Sequence, residues 1–403
     1  MNGAIPRRSP GPVEARSPSG KLLERAVHVV TLVHGGGPVS SENDHRQRPR
    51  RKHDEATPLR GTAVRGQLRF WWRATHGCTL ASIPELRQRE DALWGNASAP
   101  GIVDLRIQQS ALTAQDVSVD SLGGIGTGLR YGAFAASNLT RLRGEAVVGL
   151  TVGSEAAGRE VADALTAWLL FGGIGGRTRR GFGALSAAGL PDPREFVAGL
   201  RGDARVERVP ALRGGSSVVL SKGTFASAED AHKFAVDAMR KFRQGVGVGR
   251  NEGQQPNRPG RSRWPEADQI RRMTDTYPAQ HAPVHPVEAF PRGAFGMPIV
   301  FHFMGAKEPD DAQLVPGNNI GRMASPLILR PVSVGGRWHA MAARLLVPGL
   351  PTTEAVVTLA KANRPARTQL RGDEAREIRP LAAHGANPDV LAAFLTYFTS
   401  LSS

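Results

Sequence analysis

The segment that most constrains the fold is FGGIGGRTRRGFGAL, residues 171–185, where six glycines fall within twelve positions. Glycine loses more backbone entropy than any other residue when a helix or strand fixes it, so this density predicts a loop. An apolar helical pattern precedes the segment and a short strand pattern follows it near Ala184 to Ala187. We call the segment the glycine loop, and its glycines are Gly172, Gly173, Gly175, Gly176, Gly181 and Gly183.

Glycines let backbone N–H groups approach an anion closely, so two nucleotide-binding motifs have to be compared with this loop. A Walker motif needs a lysine directly after its last glycine, but Arg177 and Thr178 follow Gly176, and the earlier glycine of the motif is absent. A dinucleotide fingerprint runs from strand to loop to helix, which is the reverse of the order here. We therefore expect no nucleotide cofactor. We expect a flexible loop that presents Arg177, Thr178, Arg179 and Arg180 to a sugar-phosphate chain, although a glycine-rich turn with incidental arginines is the structural alternative.

A second basic feature is the predicted helix from Thr62 to His76. At about 100° per residue, Leu68, Trp71 and Thr75 fall within roughly 40° of Val64 and form an apolar stripe. Basic side chains form a stripe beside it, namely Arg65, Arg69, Arg73 and His76.

Trp72 lies at about 80° on the same wheel, at the border of the two stripes, where its ring could contact both the core and an RNA base. The nearest acidic residues in the sequence, Asp54, Glu55 and Glu85, lie outside this helix. Like charges at i, i+4 spacing repel, so three unpaired arginines on one face favour a bound anion. The alternative is a solvated face whose arginines pair with carboxylates elsewhere.

The order of predicted elements indicates an α+β fold. Strands are predicted over 26–33, 102–108, 146–152 and 184–187, and the helices over 62–76 and from Ser154 to Gly172 occupy the two crossover positions. This β, α, β, β, α, β order is the split βαβ, or ferredoxin-like, arrangement.

The rest of the chain predicts a second unit of similar class with insertions. A polar stretch over 191–215 without periodicity predicts a linker, and a new strand pattern begins at Ser216. Helices are predicted over 229–242 and 388–399, and strands over 295–304, 326–331 and 341–347. The expected division is a disordered tail (1–25), a first domain (26–190), the linker (191–215) and a second domain (216–403). The basic stretch 243–263 has an open role.

Charge and cysteine content limit the class of protein. Lysine and arginine number 52 against 36 acidic residues, a net charge of +16, which favours a polyanionic partner. A single cysteine, Cys78, excludes a disulfide framework and a cysteine zinc site. No run approaches the roughly 20 apolar residues that span a bilayer, and no signal peptide is evident. We expect an intracellular, cytoplasmic protein that uses no membrane.

Histidines raise the possibility of RNA cleavage by general acid-base chemistry. His34, His45 and His53 lie in a long polar region after the first strand, with Lys52 nearby, but nothing in the sequence would hold such groups rigidly. His281 and His285 are separated by Pro283 and lack a neighbouring carboxylate cluster, so we expect no metal site there. Asp310 and Asp311 are expected to be solvated. We predict no catalytic residues.

These segments together resemble a known family. The glycine loop is similar to that of the RAMP superfamily of CRISPR-associated proteins, and TPLRGTAVRGQLRFWWRA (57–74) resembles a helix of its Cmr-type members. The segments 128–137, 262–271, 295–303 and 322–331 resemble the first Cmr subunit of type III-B effectors. The tail, the basic segment 45–53 and the insertion 243–263 match no feature of the family.

The resemblance implies two ferredoxin-like RAMP (RRM-like) domains in an RNA-guided antiviral complex. It implies a non-catalytic RNA-binding subunit near the 3′ end of the guide (crRNA), with target RNA and other Cmr subunits as partners. Arg60 and Arg130 lie in the matching segments and join Arg65, Arg69, Trp72, Arg73 and the glycine loop in the expected RNA-contacting set. Two alternatives stay open, a RAMP-type metal-independent endoribonuclease and a general basic RNA-binding protein.

Overall fold

The chain folds into helices and antiparallel sheets in the computed structural model, as the α+β prediction requires. The structure describes residues 20–35, 57–124, 126, 128–134, 136, 138–213, 217–254, 260–317, 320–348, 355–359 and 363–402. Elements of the first part are β1 (Lys21–Val29), α1 (Gly61–Thr75), α2 (Ile83–Trp94), β2 (Val103–Gln108), β3 (Thr113–Ser118), α3 (Gly128–Gly132), β4 (Asn138–Arg143), β5 (Ala146–Val152), α4 (Glu155–Phe171), β6 (Leu185–Ser186) and α5 (Pro193–Gly199). The second part comprises β7 (Ser217–Leu220), α6 (Ala228–Gln244), α7 (Glu266–Thr274), β8 (Ile299–Phe301), β9 (Ala312–Val315), β10 (Leu327–Val334), β11 (Arg337–Arg344), β12 (Val356–Thr358), β13 (Asn363–Pro365), α8 (Glu374–Glu377), α9 (Arg379–Ala382) and α10 (Val390–Ser400).

The first sheet has the spatial order β2-β5-β1-β6. Leu23 of β1 lies opposite Leu150 of β5, and Val29 lies opposite Leu185 of β6. Helices α1 and α4 pack on each other and bury their apolar stripes, including Leu68 and Trp168, in the largest core cluster. The predicted β, α, β, β, α, β order is therefore present, with α2 and the β3–β4 ribbon as additions.

Strand β1 begins earlier than the sequence predicts. Residues 21–25, assigned to a disordered tail, pair with the apolar strand β5, and Glu24 and Arg25 keep their side chains exposed. These residues form a strand because their backbone pairs with β5. A strand with one face toward solvent can carry charged side chains on that face. Residues 1–19 of the predicted tail lie outside the described residues.

Parts of the predicted linker are structured and packed. Asp192 caps α5 by accepting the backbone N–H of Arg194 at 2.7 Å. Leu212 is fully buried, and Arg213 donates from Nε to the carbonyl of Thr75 at the end of α1. The sequence missed this because proline and charge obscure a helix of only seven residues.

A second sheet, of order β10-β11-β7, is covered by α6 and α10. The core beneath those helices is aromatic, and the ring of Phe242 contacts the rings of both Trp264 and Phe394. A third sheet, of order β13-β12-β9-β8, has its own small apolar cluster. Predicted strand 295–304 is shorter in the structure, since β8 covers three residues and a 3₁₀ turn (Pro291–Phe295) precedes it.

The two main sheets share one core. The largest apolar cluster combines Val148 and Trp168 of the first part with Ile328, Val332 and Met341 of the second. The glycine loop lies at this junction, and its short 3₁₀ turn (Thr178–Arg180) contacts β10. No helix within the described residues is long and apolar enough to cross a membrane.

Candidate nucleic-acid interface

The glycine loop is held by hydrogen bonds to the segment that follows β1. The N–H of Gly176 donates to the carbonyl of His34 at 2.7 Å, and the N–H of Gly183 donates to Leu32 at 2.8 Å. Thr31 adds a bond from its hydroxyl to the carbonyl of Gly181, also 2.7 Å long. The sequence predicts a flexible loop, but these bonds hold it to the neighbouring segment at Gly176, Gly181 and Gly183.

Three glycines of the loop adopt left-handed backbone conformations, with φ of +72° at Gly175, +81° at Gly181 and +63° at Gly183. At Gly181 a Cβ would also lie 2.6 Å from the ring of His232 and 2.7 Å from the carbonyl oxygen of Leu329. Both the conformation and the contact require glycine there. The glycine at position 181 thus reflects close packing of the loop against β10 and α6.

Two side chains of the second part anchor the loop. His232 of α6 donates from Nε2 to the carbonyl of Arg180 at 2.6 Å, and burial lowers the pKa of His232 to about 4. Arg330 of β10 is 1% exposed and donates to the carbonyls of Gly172, at 2.6 Å, and Leu185, at 2.5 Å. Burial lowers the pKa of Arg330 to about 9. Both residues were missed by the sequence analysis, although an arginine inside the apolar run SPLILRP was a detectable signal.

The three arginines of the loop differ in what they contact. Arg177 donates from Nη1 to the carbonyl of Gly132 in α3 at 2.7 Å, and Arg179 donates to the carbonyl of Ser325. The guanidinium of Arg179 also lies 5.7 Å from the ring centre of Phe70. Arg179 is thus engaged by the protein itself. None of the three forms an ion pair with a carboxylate within the described residues.

Arg177 and Arg180 belong to a group of cations that influence one another. Burial, and after it the positive charge of Arg180, lower the pKa of Arg177 to about 10. Burial likewise lowers the pKa of Arg180. Nearby Tyr131 raises this pKa, and the positive charge of Arg243 of α6 lowers it. For His34, burial lowers the pKa first, followed by the charge of Arg177.

We call His34, Arg177, Arg180 and Arg243 the arginine cluster. The guanidinium of Arg243 donates from Nη1 to the hydroxyl of Tyr131 at 3.0 Å and lies 5.7 Å from the ring centre of Phe295. Its Nε is buried and has no hydrogen-bond partner among the described residues. Partly buried like charges without a carboxylate are unfavourable on their own, so the arrangement suits an anion that neutralises them. His34 was weighed in the sequence as a catalytic residue, and Arg243 lay in a segment without an assigned role.

The arginine stripe of α1 has a different environment. Glu90 of α2 is 3% exposed and accepts three hydrogen bonds, one from Nε of Arg69 at 2.5 Å and two from Arg73 at 2.7 and 2.8 Å. Arg69 also donates to Gly95, and Arg65 donates to the carbonyl of Trp94 at 3.1 Å. The expectation of unpaired arginines is therefore wrong. The sequence could not reveal this, because Glu90 is 17 or more residues away and meets α1 only when α2 packs beside it.

Trp72 is the second correction on this helix. It is 1% exposed, and its indole N–H donates to Glu160 of α4 at 2.9 Å. Its ring packs against Gly77, where a Cβ would lie 3.0 Å away. A ring enclosed in this way has no face for an RNA base. The wheel placed it at the border of the apolar stripe, but α4 and the turn at Gly77 cover that border.

The two segments expected to form one RNA surface meet through other residues. Helix α1 faces the glycine loop with Phe70 and with Trp71, whose indole nitrogen approaches Gly172 closely. Its arginines instead face α2. Arg130 of α3 pairs with Asp120 at 2.7 Å and donates to Gly123 at 2.9 Å. Arg60 precedes α1 and is half-buried.

Among the described residues, no three His, Cys, Asp or Glu side chains lie close enough together to hold a metal ion. His281 contacts Glu308, which also accepts hydrogen bonds from Arg271 at 3.0 and 3.1 Å. Arg271 holds the pKa of the Glu308 carboxyl below its usual value, against the opposing effect of burial. Asp311 is exposed and pairs with His302. His45, Lys52, His53 and the segment 45–53 lie outside the described residues.

Comparison with known proteins confirms the superfamily resemblance. Residues 26–186 match the model of the RAMP superfamily. No curated protein matches the chain.

Solved structures give distant similarities. Crystalline Cmr1 from Pyrococcus furiosus, in its apo form, aligns with 81% of this chain and 88% of its own, at 14% identity and a TM-score of 0.43. A chain from a cryo-EM structure of type III-B Cmr-beta bound to cognate target RNA aligns with 92% of this chain and 100% of its own, at 9% identity and a TM-score of 0.45. A chain from a second Cmr-beta structure, with target RNA, AMPPnP and ssDNA, gives the same identity and TM-score over 91% and 98%.

Proposed function

We propose that this chain, whose residues 26–186 match the RAMP superfamily, is a non-catalytic RNA-binding subunit of a type III-B (Cmr) CRISPR effector. In this proposal it is a cytoplasmic protein that contacts the 3′ region of the guide, helps capture target RNA for antiviral defence, and assembles with other Cmr subunits. The observation that carries the RNA-binding part is the arginine cluster, where Arg177 and Arg180 face further cations without a carboxylate partner among the described residues. Arginine is suited to phosphate because its planar guanidinium can donate two parallel hydrogen bonds.

A chain of phosphates suits the cluster better than one nucleotide does. The loop N–H groups of Ile174, Gly176 and Gly183 are already bonded to backbone carbonyls, so they cannot form the cradle that a triphosphate needs. The cations instead extend from the loop through α6, which matches contacts spread along a backbone. Such contacts bind RNA with little regard to sequence.

We also propose that residues 26–190 and 216–403 are two ferredoxin-like RAMP domains. Support comes from strand order. In the first sheet, β1 precedes the first crossover helix, β2 and β5 lie between the two crossover helices, and β6 follows the second. Numbered along the chain, these four strands lie in the spatial order second, third, first, fourth. In the second part, β7, α6, β10, β11 and α10 follow the same sequence, and β10-β11-β7 is the order second, third, first. A fourth strand is absent from the second sheet within the described residues.

Binding of a labelled single-stranded RNA by the purified chain, measured across a salt series, tests the RNA-binding proposal. Log affinity should fall with log salt by about 0.7 for each neutralised phosphate. Arg177→Ala with Arg180→Ala should make this slope shallower by about 1.4, because two phosphate contacts are lost. The matched control is Arg87→Ala with Arg106→Ala, which removes the same charge from exposed positions outside the cluster and should leave the slope unchanged.

Four outcomes would overturn parts of the proposal. Affinity that ignores salt, or equal slopes for both double variants, would remove the arginine cluster as the RNA site. Metal-independent cleavage of the RNA by the purified chain would favour the endoribonuclease alternative. Recovery of the chain from its native cells without guide RNA or Cmr partners would favour a general RNA-binding protein.

A further inference from the structure

One aromatic side chain lies unusually open to solvent next to the arginine cluster. Phe134 is 71% exposed, whereas the next most exposed ring of phenylalanine, tyrosine or tryptophan in the described residues, Tyr277, is 36% exposed. Transfer of a phenyl ring out of water is favourable, so a partner that covers this ring would be bound more tightly. The tryptophan that the sequence assigned to base contact, Trp72, is buried.

The backbone beneath Phe134 is held in place. Ala133 is fully buried beside Phe182 in a small apolar cluster, and its N–H donates to the carbonyl of Leu129 at 2.8 Å. The N–H of Ala136 donates back to Ala133 at 2.9 Å. The turn is therefore anchored on both sides of Phe134, while the ring itself is exposed and does not belong to this apolar cluster.

The same turn contacts the arginine cluster from two sides. The carbonyl of Gly132 accepts the bond from Arg177, and the hydroxyl of Tyr131 accepts the bond from Arg243. Consecutive Cα atoms are about 3.8 Å apart, so the Cα of Phe134 lies at most about 7.6 Å from that of Gly132. Phe134 is thus beside the groups proposed to hold phosphates, at a distance that a nucleotide can bridge.

We infer that Phe134 is a stacking surface for an RNA base whose backbone is held by Arg177 and Arg180. This inference rests on the proposed RNA-binding function and adds the group that would receive a base. Aromatic side chains beside a basic groove are a common way to bind single-stranded nucleic acid, because every base has a π face. The contact would therefore be tolerant of sequence, and it would need an unpaired base.

Two substitutions of Phe134 test whether the aromatic ring itself, and not only an apolar side chain, is needed for RNA binding. Phe134→Leu keeps an apolar side chain but removes the π face, and Phe134→Tyr keeps the ring. Loss of one stacked base should weaken the Kd for single-stranded RNA by roughly 5- to 150-fold in the leucine variant. The tyrosine variant should bind like the parent. Tyr277→Leu is the matched control, because it removes an exposed ring outside the cluster, and it too should bind like the parent.

The salt series distinguishes stacking from phosphate contact. Phe134→Leu should lower affinity at every salt concentration and leave the log-log slope unchanged, whereas loss of Arg177 and Arg180 makes the slope shallower. Fluorescence of 2-aminopurine placed along the RNA should be quenched at one position by the parent and not by the leucine variant. A leucine variant with the parent's Kd and quenching would overturn the inference while leaving the proposed function intact, and would assign Phe134 to a protein contact instead. A parent that binds no RNA would refute the proposed function itself.

Discussion

Replacement of Glu90 by glutamine tests whether the arginine stripe of α1 is structural or belongs to an RNA surface. The carboxylate of Glu90 is almost completely buried and accepts three charged hydrogen bonds from Arg69 and Arg73. Glutamine has the same shape but is neutral, and its amide nitrogen can accept no bond. At least one guanidinium would then face a donor instead of an acceptor.

The magnitude follows from the exposure of the partners. Loss of one partner from a fully buried ion pair costs roughly 3 to 5 kcal/mol. Here the side chains of Arg69 and Arg73 are 27% and 39% exposed, so water can rehydrate them and reduce the penalty. We expect the free energy of unfolding to fall by about 2 kcal/mol, which lowers the Tm by roughly 4 to 8 °C for a unit of this size.

Thermal melts and RNA titrations on the same variants decide the matter. Asp91→Asn is the control, because Asp91 is 38% exposed and its bond to Arg69 is 3.5 Å long, so its Tm should change by less than about 2 °C. The RNA affinity of Glu90→Gln should equal that of the parent at temperatures where both are folded. If Glu90→Gln melts like the parent while Arg73→Ala weakens RNA binding and makes the salt slope shallower, the arginine stripe is an RNA surface and our structural assignment is wrong.

Three further predictions concern the packing of the glycine loop and α1. Burial lowers the pKa of His232 to about 4, so below about pH 6.5 the unfolded chain binds a proton that the folded chain does not. The free energy of unfolding should therefore fall by about 3 kcal/mol as the pH decreases from 6.5 to 4. Thermal melts of His232→Gln should show a flatter pH dependence than those of the parent. Gly181→Ala should lower the free energy of unfolding by about 2 to 5 kcal/mol, because alanine is strained in this backbone conformation and its Cβ overlaps His232. The control Gly189→Ala has φ of +70° but open space around it, and should cost about 1 to 2 kcal/mol. Equal losses of Tm in the two variants would contradict this packing. Trp72→Ala should cost about 3 to 5 kcal/mol because the ring is buried, and a variant that melts like the parent would contradict that burial.

The sequence predicts the first fold unit well because its elements are long and periodic. Helix α4 shows an apolar stripe and a defined end at Gly172, so the pattern and the structure agree there. Short elements were predicted poorly. Strand β1 includes charged residues, and α5 has only seven residues, so in both cases pairing or packing with distant segments decides the structure.

The candidate site separates what local sequence can specify from what it cannot. Six clustered glycines indicate positions where positive φ or close backbone approach excludes other residues, and this requirement does not depend on where the loop lies in the fold. The sequence therefore locates the loop correctly. The role of an arginine depends on its neighbours in space. Arg69 and Arg180 look alike in sequence, yet α2 brings Glu90 to the first, and α6 brings Arg243 to the second. A helical wheel describes one helix alone and therefore cannot show which face a neighbouring helix covers. For this reason the wheel points to Trp72, whereas Phe134 lies in a short glycine-flanked segment whose lack of periodicity gives no signal. Carboxylates that the fold brings near an arginine neutralise its charge and leave less of it for an anion. The arginines that the fold leaves without acidic partners are therefore the ones that indicate a polyanion site.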